Sequence, residues 1–274
     1  MAASPFVYVA SLRRTGSTVV AEALTQLPYS FIFREPGLGR NKHNFKSDDI
    51  ACLREHGVDI EKFVKSTLWK VKLNRLLRTK RDVMVKAFAN RLAPHLAAQV
   101  QQFGVKEIRH EGWRRYARAF PEMKIVLTGR DPRDIYISLY YRLNEERGKR
   151  WRGEFEPVAV ADDLNRQFRH QVRMHEQFGA FKAKYEDVCT NPALMEQVKQ
   201  FVDSPIPAGD VGEVGGFLAS NPRRAEEHQV HGDQITDKRV RRWAQETDEQ
   251  LVADAHRAFD LMPEYCEFWE YGRE

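Results

Sequence analysis

Arg13-Arg14-Thr15-Gly16-Ser17-Thr18 puts two guanidiniums, three hydroxyls and a glycine into one short turn. Such a set can hold a tetrahedral anion. The guanidiniums bring charge and forked donors, the glycine brings tight backbone curvature, and a following helix would aim its free N–H groups at the same point. Compared with the phosphate loop G-x-x-x-x-G-K-[ST], Gly16 takes the second glycine place and Thr18 the hydroxyl place. Ser17 stands where the lysine would be, and Ser11 where the first glycine would be. The loop therefore suits an anion shaped differently from a nucleoside triphosphate, with Arg13 or Arg14 carrying the charge.

A second set lies in Gly129-Arg130-Asp131-Pro132-Arg133-Asp134 and continues to Ser138. Pro132 suits the first turn of a helix and Asp131 its N-cap. Arg130 would then sit at the end of the preceding strand, with Ser138 two helical turns on and near the same side. A guanidinium fork and a hydroxyl so placed can hold a second phosphate.

The elements that must position these groups alternate along the chain. Strands are expected over 6–11, 30–34, 82–88, 105–110, 124–128 and 181–185, and helices over 17–26, 60–78, 113–120, 133–143, 162–178, 192–201 and 240–259. This alternation predicts an α/β protein, a P-loop-like three-layer fold with a central, mainly parallel sheet flanked by helices. Ligands of such sheets bind beyond the carboxyl ends of the strands, where both sets fall. Segments 209–216 and 220–233 lack periodicity and read as surface loops around the site.

At 274 residues, with no Pro/Gly/Ser linker, the chain reads as one domain over 1–274. A formal net charge of +5 favours an acidic partner and is far too mild to require nucleic acid. Basic residues bunch at 13–14, 147–152, 223–224 and 238–242. The three cysteines, Cys52, Cys189 and Cys266, have no metal-ligand spacing and are expected to be reduced. No leader pattern and no apolar stretch of about 20 residues is present, so a cytoplasmic protein away from the membrane is expected.

Taken together, the Arg13–Thr18 loop and the Arg130–Ser138 element resemble the two cofactor signatures of the sulfotransferases that use 3′-phosphoadenosine-5′-phosphosulfate (PAPS). The resemblance implies that Arg13, Arg14, Thr15, Gly16, Ser17 and Thr18 bind the 5′-phosphosulfate and that Arg130 and Ser138 bind the 3′-phosphate. It also accounts for the absent lysine, since there is no γ-phosphate to hold, and it implies no metal. Phe33-Arg34-Glu35-Pro36 is similar to the aromatic-x-Glu-Pro element of the carbohydrate-type enzymes, to which the chain looks closer than to the cytosolic aryl type. Lys106, in a strand like their lysine-bearing one, has a spacing to Arg130 similar to that of the catalytic lysine. Tyr185-Glu186-Asp187 resembles the element whose tyrosine lies near the adenine, and the run from Lys238 to Trp243 resembles the C-terminal basic segment, with Arg239 on the 3′-phosphate. That run lacks the glycines of the cytosolic G-x-x-G motif.

The implied reaction is in-line transfer of a sulfuryl group to an acceptor hydroxyl on a glycan, a small metabolite or a peptide tyrosine. Arg14 and Lys106 would meet the charge that develops on the transferring and leaving oxygens. Cytosolic members place a histidine base two residues after the lysine, where this chain has Ile108. The base is then Glu35 or, on the same expected strand face as Lys106, His110, with Glu35 preferred. Lys86, set in an apolar run, is a second candidate for the catalytic cation. The segment from Pro36 to Ser47, with Arg40, Lys42, His43 and Lys46, is the candidate acceptor loop. Two other classes share parts of this pattern: a P-loop nucleotide kinase or NTPase, which needs the missing lysine and a magnesium site, and a non-catalytic polyanion-binding protein.

Overall fold

A computed structural model describes residues 6–66, 83–145, 155–191, 193–207 and 237–273. Five strands form one sheet: β1 (Val7–Ser11), β2 (Ser30–Arg34), β3 (Gln102–Glu107), β4 (Lys124–Gly129) and β5 (Phe181–Lys184), in the order β2-β3-β1-β4-β5. Every pairing is parallel, with Val7 opposite Gly104 on one side of β1 and Lys124 on the other. A parallel sheet has both faces covered, which is why β1 and β4 read as unbroken apolar runs. Tyr8, Ala10, Phe31, Phe33, Val105, Ile125 and Leu127 belong to one core cluster. That cluster takes in the helices Trp113–Ala119, Pro132–Glu145 and Pro157–Phe178. Val7, Val9, Ile32, Val126 and Ala183 belong to the other, with the helices Ser17–Ala23 (α1) and Ala193–Phe201. The expected three layers and parallel sheet are therefore present.

One expected strand is a helix. The 83–88 run forms Met84–Ala87, continuing through a π turn at Phe88–Leu92 into Ala93–Ala97. A short apolar run fits either period, and here the helical one wins because Met84, Val85, Ala87 and Phe88 are all buried while Lys86 faces solvent. Lys86 therefore does not stand at a strand end. The third strand starts at Gln102 and stops at Glu107, so period-two alternation does not carry from Lys106 to His110. The long C-terminal helix shortens to Glu249–Asp260, capped by the Asp248 side chain on Leu251 N–H. The expected helix at 60–78 is helical over 61–66 and then runs outside the described residues, as do the 209–216 and 220–233 segments and the 147–152 and 223–224 basic runs. Among the described residues no helix is long and apolar enough to cross a membrane.

Candidate active site

Because the strands run parallel, the segments that follow β1, β2, β3 and β4 all emerge at one edge of the sheet. The β1 segment turns sharply, with Arg14 at φ 65° and Gly16 at φ 76°. Thr15 pins it from beneath: its Oγ1 donates to Leu12 O (2.9 Å) and shares a 2.6 Å hydrogen bond with Thr128 Oγ1 of β4. Gly16 is required by what lies on it, since a Cβ there would stand 2.3 Å from Tyr185 Cδ2. Tyr185 thus packs directly on the loop, and Arg130 Cζ lies 4.4 Å from the centre of its ring.

Arg130 is 4% exposed and held from several directions. Its N–H donates to Tyr265 Oη and Tyr265 O–H donates back to Arg130 O, both at 3.0 Å. Its Nη2 donates to Asp134 Oδ2 (3.3 Å) and to the Arg239 carbonyl, and its Nη1 to Arg14 O (3.4 Å). Arg14 Nε in turn donates to Ser138 Oγ at 2.9 Å. The structure therefore brings Arg14, Arg130, Ser138, Tyr185 and Arg239 into one contiguous group. Arg130 Nε is buried and has no hydrogen-bond partner among the described residues. A guanidinium that is buried, fixed and left with an unused donor fits an anion as its remaining partner.

The second half of the site lies across β3. Arg34, at the end of β2, turns away to Asp49, donating from N to Oδ2 (3.1 Å) and from Nε to Oδ1 (2.9 Å). The backbone then flips at Glu35 (φ 52°), whose N–H donates to Lys106 O at 2.7 Å. The flip sets the Glu35 carboxylate against Lys106, with Nζ 2.5 Å from Oε1. The Lys106 side chain is 6% exposed and that of Glu35 33%, so the carboxylate is the open member of the pair. Burial pushes the Glu35 pKa upward, but the charge and hydrogen bond of Lys106, with Lys46 and Arg13 nearby, bring it below the usual carboxylate range.

His110 is not in this group. It is fully buried, with Nε2 3.0 Å from Ser11 O and Nδ1 3.4 Å from Tyr8 Oη. Because a carbonyl can only accept, Nε2 carries the proton and the Tyr8 O–H donates to Nδ1. Burial, with His170 nearby, pushes its pKa down to about 3. With both ring nitrogens engaged inside the protein, His110 is a structural histidine, and of the two candidate bases only Glu35 faces the site. Lys86 is likewise outside it, on the solvent side of its helix.

The arginine pair divides. Arg14 reaches Ser138 on the β4 side, whereas the charges felt by Arg13 are those of Arg109, Asp163, Glu35 and Arg40, on the β2 and β3 side. Further residues complete the site. Asp134, one turn after Arg130, accepts from Arg130 and from Trp243 N–H, and the i, i+4 spacing could have paired it with Arg130. Tyr265 lies 135 residues from Arg130, a separation no local pattern reveals. Glu107 accepts from Gly37 N–H (2.8 Å) and so holds the turn that follows Glu35.

The chain is similar to known proteins in its fold and in its sequence. Among solved structures, it superposes on the sulfotransferase domain of the Synechococcus PCC 7002 olefin synthase with a TM-score of 0.62 at 15% identity, covering 99% of this chain and 96% of that one. The sulfotransferase domain from the curacin biosynthetic pathway gives 0.63 at 12%, covering 98% of each chain. Mouse sulfotransferase SULT7A1 complexed with PAP gives 0.53 at 11%, covering 98% of this chain and 87% of that one. At these identities the likeness speaks to the fold. No curated protein matches the sequence. The model described as "Sulfotransferase family" matches residues 5–207, so the chain belongs to the sulfotransferase family.

Proposed function

We propose that this sulfotransferase moves a sulfuryl group from PAPS to a hydroxyl of a glycan or small metabolite. The observation that carries the reading is the pairing, along one sheet edge, of the Arg14–Ser138–Arg130 group with the Lys106–Glu35 pair. The mouse neighbour named as a PAP complex supports the choice of donor. When bound, that donor supplies the sulfuryl group and a phosphate as its leaving group.

In this reading Arg130, Ser138 and Arg239 hold the 3′-phosphate, and the unused Arg130 Nε gains its partner there. Tyr185, packed between Gly16 and Arg130, forms the wall on which the nucleoside rests. Arg14, Lys106 and the backbone N–H groups of residues 15–18 meet the negative charge on the leaving and equatorial oxygens. Glu35 accepts the proton of the attacking hydroxyl, and Lys106, already bonded to it, keeps it ionised until then. We take residues 1–274 as one catalytic domain that works in the cytoplasm without a metal.

The test is calorimetric titration with 3′-phosphoadenosine-5′-phosphate (PAP) on wild type, Arg14→Ala and Arg130→Ala, alongside a screen of hydroxylated compounds with ³⁵S-labelled PAPS. Binding by wild type that is lost in both variants is expected. Affinity unchanged in both variants, or magnesium-dependent ATP turnover in place of sulfuryl transfer, would overturn the assignment.

A further inference from the structure

Arg133, three residues after Arg130, is turned inward and is 2% exposed. Its Nε donates to Asp131 Oδ1 (3.0 Å), its Nη2 to Asp131 Oδ2 (2.6 Å) and Gly272 O (3.0 Å), and its Nη1 to Arg273 O (3.0 Å). These bonds use the edge of the guanidinium and leave its flat faces for aromatic rings. The ring centres of Trp243 and Phe259 lie 3.9 and 4.5 Å from Arg133 Cζ.

Trp243 belongs to the stretch that carries Arg239. Residues 237–246 form two 3-10 turns, Asp237–Arg239 and Arg242–Ala244, and none of them is buried. Trp243 is the hydrophobic residue of this stretch that packs on the core, and Tyr141 adds a hydrogen bond to Glu246 (2.8 Å) and a ring under Arg242 Cζ (4.2 Å). Both turns touch the Arg130–Asp134 pair. Arg130 Nη2 donates to Arg239 O, and Trp243 N–H donates to Asp134 Oδ1 (3.0 Å), whose Oδ2 accepts from Arg130 Nη2 (3.3 Å). Arg133 therefore seats Trp243 by its ring while Asp134 seats it by its backbone, and Arg130 is bonded to the same stretch at Arg239.

We propose that Arg133 is a positioning residue for the donor: through the face it gives Trp243 it sets residues 239–243 against Arg130, and so completes the site for the 3′-phosphate without touching it. The inference rests on the sulfuryl-transfer reading above. Without the ring contact the stretch must be ordered when the nucleotide binds, and that ordering costs affinity.

Its test compares two nucleotides that differ only in the 3′-phosphate, PAP and adenosine 5′-phosphate, by calorimetric titration of wild type, Trp243→Leu, Trp243→Phe and Arg133→Lys. Wild type is expected to prefer PAP. Trp243→Leu removes the ring at a half-buried position, and thermal unfolding reports whether the fold is kept. PAP affinity should fall by about 10-fold in Trp243→Leu, the scale of a partly desolvated cation–π contact, while affinity for adenosine 5′-phosphate stays the same. Trp243→Phe, which keeps a ring, should recover most of the loss. Arg133→Lys keeps the charge but not the planar fork, and should lower PAP affinity in the same selective way. A PAP preference undiminished in Trp243→Leu, or an equal loss for both nucleotides, would overturn the inference. Wild type that binds the two nucleotides equally would sink the 3′-phosphate assignment itself, and this inference with it.

Discussion

Lys106 Nζ stands 2.5 Å from Glu35 Oε1, so the cation and the base of the proposed reaction are each other's closest polar partner. The pair sets a pH dependence. With its pKa below the usual carboxylate range, Glu35 stays ionised and able to take a proton until the medium is distinctly acidic. Replacing Lys106 by Met removes the main downward pull and leaves burial, which pushes the pKa up. The acid limb of kcat/KM against pH should move to higher pH in Lys106→Met, and Glu35→Gln should lower kcat by about 10²- to 10⁴-fold. An acid limb at the same pH in wild type and Lys106→Met would show that another group is the base.

Gly16 and Tyr185 make a prediction on stability. Gly16→Ala places a methyl group 2.3 Å from Tyr185 Cδ2 and forces an L residue to φ 76°. The left-handed backbone alone costs about 1–2 kcal/mol, and the collision adds to it. Tyr185→Ala removes the collision but not the backbone cost, so the double variant should be more stable than the two single losses added together. Urea unfolding of the four proteins measures the coupling. Strict additivity would mean that the ring does not press on the loop.

Much of this site was legible because charge and spacing are local properties. Arg13–Thr18, Arg130 and Ser138 declared themselves by position after strands, and the apolar runs of β1 and β4 declared a buried parallel sheet. What escaped was set by contacts distant in the chain. The Val83–Phe88 run became helical because its neighbours bury a helical stripe, which its own six residues do not specify. His110 looked like a candidate base until its ring was found engaged by Ser11 and Tyr8, some hundred residues away. The split between Arg13 and Arg14 follows from the left-handed turn at Arg14, a backbone conformation that composition does not announce.

The buried His110 should make the protein acid-sensitive. Its pKa is about 3 in the folded protein, against an ordinary 6.5 when unfolded. Between these values the unfolded chain takes up a proton that the folded one refuses, so stability falls as pH falls from 6.5 toward 3. The slope is at most about 1.4 kcal/mol per pH unit. His110→Asn, though less stable at pH 7 through lost hydrogen bonds, should show a flatter decline over that window in urea midpoints. Parallel declines for wild type and variant would mean that other groups carry the acid sensitivity.

Glu107 should act with the opposite sign. Burial pushes its pKa up to about 7, despite the hydrogen bond from Gly37 and the charge of Arg40, against an ordinary 4.5. Between 4.5 and 7 the folded protein keeps a proton that the unfolded chain has released, so this group makes stability fall as pH rises through that window. Its Oε1 accepts from both Gly37 N–H and Tyr116 O–H, while Oε2 has no partner among the described residues. Glu107→Gln keeps the accepting oxygen and removes the ionisation. The variant should therefore gain on wild type from pH 5 to pH 8 in urea unfolding, by at most about 1.4 kcal/mol for each pH unit crossed below 7. A difference that stays constant across that range would sink the assignment. Because His110 and Glu107 offset each other between 4.5 and 6.5, the wild-type curve alone hides both, and the two variants are needed to separate them.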